Sequence, residues 1–113
     1  MNPNQPPTLE ACPPDPFPTA LVNALSALFR RLPAVNQAYV VQCHVTGSTE
    51  RPHMVIGISG ADDLNDVIHR AGRVARYYLK RGDYVDFLRV EDSALEHYLL
   101  NESEPFYRRR LDA

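Results

Sequence analysis

Residues 36–59, NQAYVVQCHVTGSTERPHMVIGIS, decide the fold of this chain. Two runs rich in valine, isoleucine and tyrosine, about 36–46 and about 52–59, flank a short polar segment that contains Gly47. Runs of this composition form strands, and a short connection between them favours antiparallel pairing. The stretch therefore predicts a β-hairpin around which the rest of the fold is built.

The register of the hairpin follows if the apolar row of each strand faces the same core. Because strand side chains alternate between the two faces, Cys43 then lies opposite Met54, and His44 lies opposite His53 on the outer face. Two imidazoles could hold a metal ion, but zinc sites use three or four protein ligands. No third ligand follows at a suitable spacing, so we expect neither a metal nor another cofactor.

Helices are predicted before and after the hairpin. Apolar residues at helical spacing indicate a first helix over about 20–32. A longer apolar stripe indicates a second helix over about 61–81, followed by Gly82 as its terminating residue. A third strand, about 84–90, and a short helix, about 94–101, complete the predicted elements.

The element order α-β-β-α-β-α predicts an α+β two-layer sandwich. It contains a three-stranded mixed sheet, with helices mainly on one face. The second helix connects the second and third strands, so these two strands should be parallel. Placing the first strand between them gives the sheet order 2-1-3, and direct adjacency of the second and third strands is the alternative. The C-terminal helix either covers the outer sheet face or leaves it free for a partner.

The first part of the chain differs in composition from the rest. Most of the ten prolines fall within residues 1–18. Proline lacks the amide hydrogen and fixes φ, so this segment cannot form a helix or a central strand. We predict a proline-rich disordered leader over 1–18 and a single α+β domain over 19–113.

Composition excludes several classes of function. The chain has 113 residues and a formal net charge of −2, which gives no support for binding to nucleic acid. No apolar run approaches the roughly 20 residues of a membrane-spanning helix. The two cysteines form no metal-binding or redox motif, so we expect a reducing, cytoplasmic location.

The residue types that carry catalysis lack suitable neighbours. Cys43 and His44 are consecutive in a predicted strand, so their side chains point to opposite faces and cannot form a dyad. Asp86 has no second carboxylate or nucleophile beside it in the sequence. We predict that the protein is not an enzyme. The alternative is a small ligand binder or enzyme that uses Asp86, His44 and His53.

Two surfaces remain as candidates for binding a partner. One is the outer sheet face, which could also pair two copies of the chain as a homodimer. The other is a basic surface on the second helix and the aromatic-basic C-terminal tail, which suits an acidic protein better than nucleic acid. The residues assigned to these surfaces are Val40, Gln42, His44, His53, Val55, Arg70, Arg73, Tyr77, Phe106, Tyr107 and Arg108.

Four short segments carry a family resemblance. Residues 37–42 (QAYVVQ), 53–58 (HMVIGI), 85–87 (VDF) and 105–108 (PFYR) together resemble the C-terminal domain of the enhanced serine sensitivity protein SseB family. The resemblance covers about residues 19–110. It implies no catalytic residues. Because longer members of the family carry a preceding domain, it also implies a free-standing version here.

The sequence therefore favours a bacterial, cytoplasmic protein-interaction or regulatory module. A different hypothesis is an immunity-type protein that neutralises a toxin enzyme, because small single-domain folds with charged surfaces suit that role.

Overall fold

Five strands and three α-helices follow one another in a computed structural model, which describes residues 9–49 and 51–109. A 3₁₀ turn, Val90–Asp92, lies between the last long strand and the last helix. The elements in chain order are β1 (Leu9–Cys12), α1 (Thr19–Phe29), β2 (Val35–Val45), β3 (His53–Gly60), α2 (Asn65–Ala75), β4 (Val85–Arg89), α3 (Glu96–Glu102) and β5 (Tyr107–Arg108). The α+β class predicted from the sequence is confirmed.

The sheet is mixed, as predicted, but the predicted three strands and the order 2-1-3 are wrong. The strands lie in the order β1-β2-β3-β4, and β5 also pairs with β2. β1 and β5 pair with opposite ends of β2, along the edge that faces away from β3. That edge was the place predicted for the third long strand. β4 therefore pairs in parallel with β3, which is the alternative that the sequence left open.

The hairpin is present, but its register differs from the predicted one by one residue. Cys43 lies opposite His53, and Val40 lies opposite Ile56. The prediction assumed one core and therefore one apolar row on each strand. Both faces of β2 are buried instead, so both of its rows are apolar and alternation alone does not fix the register.

Each face of the sheet has its own core. Ala38, Val40, Ile56 and Ile58 pack with the apolar residues of α1 and α2 on one face. On the other face, apolar residues of β2 and β3 pack with the 3₁₀ turn and α3. These residues are Tyr39, Val41, Cys43, Val55, Val90, Leu95 and Leu99. The C-terminal helix therefore covers the outer sheet face. A homodimer that pairs through a bare outer face has no support from this arrangement.

Part of the predicted disordered leader is a strand. The four residues Leu9–Cys12 contain no proline and pair antiparallel with Val45–Gln42 of β2. Prolines follow immediately, and the chain then runs to α1 without regular structure. β1 is an edge strand, where the nearby prolines cost no ladder hydrogen bonds. Residues 1–8 of the predicted leader lie outside the described residues.

Both long helices are shorter than the sequence predicted. At the predicted start of the second helix, the Ala61 amide donates a hydrogen bond to the Ala34 carbonyl oxygen (2.9 Å) instead. α2 begins only after the Asp63 carboxylate accepts a hydrogen bond from the Asn65 amide (3.0 Å). At its other end, tight turns extend the helix to Tyr78. Gly82, with φ of 89°, occupies a separate turn rather than the helix end.

Candidate functional site

A groove of about 920 Å³ opens at one end of the helical layer, beside the hairpin turn. Three segments line it together with Gln42 of β2. They are residues 14–21, which lead into α1, residues 51–54 at the start of β3, and residues from 78 to 84 after α2. A cleft of this size falls in the range of sites that hold small ligands or short peptide segments. The groove is therefore the first candidate for a functional site.

Exposed aromatic rings are concentrated in this groove. Phe17, Tyr78 and Tyr84 are 52%, 46% and 58% exposed, and all three line it. Aromatic side chains of this exposure leave apolar area in contact with water that a partner could cover. Three of them in one concave surface, contributed by separate segments of the chain, give it the composition of a binding surface.

Charges of both signs surround the rings. Arg51 and Lys80 line the groove, and so do Asp15 and Asp83. The first turn of α1 also faces it. That turn has neither a side-chain cap nor an acidic residue, so the positive end of the helix dipole is not neutralised there. The groove thus combines exposed aromatic rings with charged side chains of both signs and the positive end of a helix dipole.

His53 connects the groove to an ion pair on the neighbouring strand. Its Nε2 lies 3.1 Å from Oδ2 of Asp86 in β4. The His53 ring also stacks on Tyr84, with ring centroids 5.7 Å apart and an angle of 22° between the planes. The carboxylate fixes the orientation of the imidazole, so His53 presents a defined ring face and edge at the groove.

Cys43 lies directly across the hairpin from His53. Cys43, His53 and Asp86 thus occupy three neighbouring strands, an order found in nucleophilic sites. However, the thiol is only 1% exposed, and burial raises the pKa of Cys43 to about 11. A protonated, enclosed thiol is not a nucleophile, so the row provides an oriented histidine but no activated cysteine.

The pairing of His44 with His53, predicted from the sequence, is wrong. The shifted register places His44 opposite Glu10 of β1 instead. The His44 Nε2 lies 3.2 Å from the Ser48 carbonyl oxygen in the hairpin turn. Sequence reasoning also missed the contact between His53 and Asp86. Finding it requires the adjacency of β3 and β4 and the parallel register between them.

The other residues assigned to the candidate surfaces divide by burial. Val40, Val55 and Tyr107 are buried core residues. Gln42 and His53 line the groove. Phe106 is half-buried and stacks on Phe29 of α1, so the tail packs against the domain rather than projecting from it. The exposed residues are Arg70, Arg73, Tyr77 and Arg108.

Two kinds of site do not occur in the described part of the chain. No three histidine, cysteine or carboxylate side chains within residues 9–49 and 51–109 are grouped closely enough to hold a metal ion. In the same residues, no helix has the length and apolar character that crossing a membrane requires. The two cysteines, Cys12 and Cys43, are both free thiols.

Comparison with known proteins gives one family. A family model described as "SseB protein C-terminal domain" matches residues 5–109. The chain is 27% identical over 96 residues to "Protein SseB" of Escherichia coli (strain K12), covering 82% of this chain and 36% of that protein. It matches "Protein SseB" of Shigella flexneri with the same values. The chain thus spans about a third of the length of these curated relatives. No solved structure matches significantly.

Proposed function

This chain belongs to the SseB protein C-terminal domain family, and from that premise we propose that it is a non-enzymatic protein-interaction or regulatory module. Its binding surface is the groove between the segment before α1, the start of β3 and the loop after α2. The partner is another protein. A cytoplasmic location is part of the proposal and is consistent with the two free thiols.

The exposed aromatic rings of the groove are the observation that carries this proposal. Phe17, Tyr78 and Tyr84 all line the groove, and their rings are among the few large apolar side chains that stay exposed in the described residues. Tyrosine and other aromatic residues are enriched at the energetic centres of protein interfaces. A groove that already presents three of them offers such a centre to a partner.

The chemistry around the groove supports binding rather than catalysis. His53 is oriented by Asp86, but the thiol across the hairpin from it, that of Cys43, is buried. A general base acts only on a group within hydrogen-bond reach. The oriented imidazole is therefore better suited to contacting a partner than to activating a residue of this chain.

The test compares a groove variant with a variant of equal character on another surface. Tyr78→Ser/Tyr84→Ser removes two rings from the groove, whereas Leu100→Ser removes an exposed apolar residue of α3 that does not line the groove. Each protein is immobilised and exposed to lysate of the native host, and the bound proteins are quantified by mass spectrometry. We expect one or more proteins to bind the unmodified chain and the Leu100 variant but not the groove variant.

Binding of a protein to the unmodified chain does not suffice as support, because immobilised proteins capture others non-specifically. The proposal requires loss of that protein from the groove variant alone. Equal recovery with all three proteins would contradict it, provided that circular dichroism shows the variants to be folded.

A second candidate function is a small-ligand site in the same groove. It is favoured by one observation, the His53 ring held by Asp86 at 3.1 Å and stacked on Tyr84. An oriented imidazole beside an aromatic ring suits a planar polar ligand. A thermal-shift screen with a set of small metabolites tests this function. A true ligand stabilises the unmodified chain and fails to stabilise His53→Ala.

A further inference from the structure

The C-terminal half of α2 and the segment that follows it carry positive charge without acidic residues. Between His69 and Gly82, all five ionic side chains are arginine or lysine, although the whole chain has a net charge of −2. Arg70 pairs with Asp66 at 2.9 Å. Arg73, Arg76, Lys80 and Arg81 are exposed, and within residues 9–49 and 51–109 none of them forms an ion pair.

Part of this charge forms a defined surface beside an exposed ring. Arg73, Arg76 and Tyr77 are spaced three and four residues apart, so they share one side of the helix. The helical path continues through Tyr77, whose amide donates to the Val74 carbonyl oxygen (3.2 Å). Tyr77 is 88% exposed, the highest value among the large apolar side chains described. We name these three residues the basic stripe.

The basic stripe leads directly into the groove. Tyr78 follows Tyr77 in the chain and lines the groove, as does Lys80. The uncapped first turn of α1 also lines the groove. The stripe and the groove are thus adjacent along the chain, because Tyr77 of the stripe is followed at once by Tyr78 of the groove.

From this arrangement, and resting on the proposed function of the groove, we infer that the partner is an acidic peptide segment that ends in apolar residues. Its carboxylates lie over Arg73 and Arg76, and its apolar residues enter the groove. Uncompensated arginines favour carboxylates through charge-assisted hydrogen bonds. The groove itself contains Asp15 and Asp83, which would repel a uniformly acidic chain. The acidic and apolar parts of the partner are therefore separate.

The experiment uses defined peptides, so that each part of the surface is tested by itself. The probe is a fluorescein-labelled peptide with a run of glutamates followed by Phe-Pro-Leu. In a second peptide lysines replace the glutamates, and in a third Gly-Ser-Gly replaces Phe-Pro-Leu. Binding to the full chain is measured by fluorescence anisotropy at low and high salt. We expect the first peptide to bind most tightly, and salt to weaken its binding because exposed charges are screened.

Two variants separate the charge from the rings. Arg73→Gln/Arg76→Gln should weaken binding of the glutamate peptide by roughly two- to fivefold for each arginine. The control is Arg30→Gln/Arg31→Gln, which removes two exposed arginines after α1 and should leave the affinity within twofold of that of the unmodified chain. Tyr78→Ser/Tyr84→Ser should abolish the advantage of Phe-Pro-Leu over Gly-Ser-Gly.

The outcomes distinguish this inference from the proposed function. If the stripe variant binds as tightly as its control, or the lysine peptide binds as well as the glutamate peptide, the acidic partner is wrong and the groove function stands. If the groove variant keeps full affinity for Phe-Pro-Leu, the groove function itself fails. Absence of binding by the glutamate peptide at millimolar concentration overturns the inference.

Discussion

The guanidinium of Arg109 donates a hydrogen bond to the carbonyl oxygen of Phe29 over 3.0 Å, between residues 80 positions apart in the chain. Phe29 is the last residue of α1. The same guanidinium also donates to the carbonyl oxygens of Leu32 and Val35. The Phe29 oxygen also accepts hydrogen bonds from the Leu32 amide (3.0 Å) and the Tyr107 hydroxyl (3.3 Å). Arg109 therefore adds a charged donor to carbonyl oxygens that cluster after the end of α1.

Replacing Arg109 should therefore destabilise the domain although it lies near the end of the chain. We expect Arg109→Gln to lower the free energy of unfolding by about 2 kcal/mol, because half-buried carbonyls lose charged donors. Urea denaturation followed by circular dichroism measures this change. Arg108→Gln is the matched control. Arg108 is exposed and forms no ion pair with another described residue, so equal losses for the two variants would refute the role of Arg109.

The sequence could predict the long elements of the fold but not the contact between Arg109 and α1. Helical and strand periodicity located α1, β2, β3, α2 and β4, because these elements have regular apolar patterns. β1 and β5 were missed because two- and four-residue strands carry no detectable period. Their pairing with β2 in turn decided the strand order. Local pattern thus identified the long elements, and short edge strands determined how those elements are arranged.

The candidate site depended on those same missed features. Phe17, Tyr78 and Tyr84 come from three separate segments, and no spacing in the sequence indicates that they meet. His53 and Asp86 are each candidate residues in the sequence, but their contact follows from the strand order and from the parallel register of β3 and β4. By contrast, the basic side of α2 was predictable, because it lies within one helix and needs no tertiary information.

Gly60 should not tolerate a side chain. A Cβ at this position would lie 1.9 Å from the main-chain carbonyl oxygen of Ala34, and main-chain atoms at a strand end cannot move without breaking pairing. We expect Gly60→Ala to lower the free energy of unfolding by about 3 kcal/mol. Gly57→Ala is the comparison, because its Cβ would meet only side-chain ends, those of Leu99, Val90 and Leu88. A Gly57 loss as large as that of Gly60 would contradict this explanation.

Gly72 presents the opposite case within α2. A Cβ there would have no neighbour within 4 Å, and the residue lies inside the helix. Glycine is less favourable than alanine in a helix by about 1 kcal/mol. Gly72→Ala should therefore raise the free energy of unfolding by about 0.5–1 kcal/mol, measured as an increased urea midpoint with an unchanged m-value. An unchanged or lowered midpoint would show that α2 is not helical at this position.

The contact between His53 and Asp86 should contribute little to stability. The two side chains are 29% and 55% exposed, and ion pairs in contact with water contribute about 1 kcal/mol or less. We expect Asp86→Asn to change the free energy of unfolding by less than about 1 kcal/mol, with a smaller difference in high salt. A loss of several kcal/mol that persists in high salt would assign the pair to the core instead of the groove surface.

The two cysteines should differ strongly in reactivity in the folded protein. Burial raises the pKa of Cys43 from 9.0 to about 11, which lowers its thiolate fraction near neutral pH roughly a hundredfold. Cys12 is exposed, so iodoacetamide should modify Cys12 first, as peptide mass spectrometry would show. In urea both thiols should react at similar rates.

Because the folded state retains the Cys43 proton to higher pH than the unfolded state, this thiol lowers stability as pH rises from about 9 to about 11. Cys43→Ala should reduce that pH dependence. Rapid modification of Cys43 in the folded chain at neutral pH would instead mean that the thiol is accessible and ionised. The row formed with His53 and Asp86 would then have to be reconsidered as a nucleophilic site.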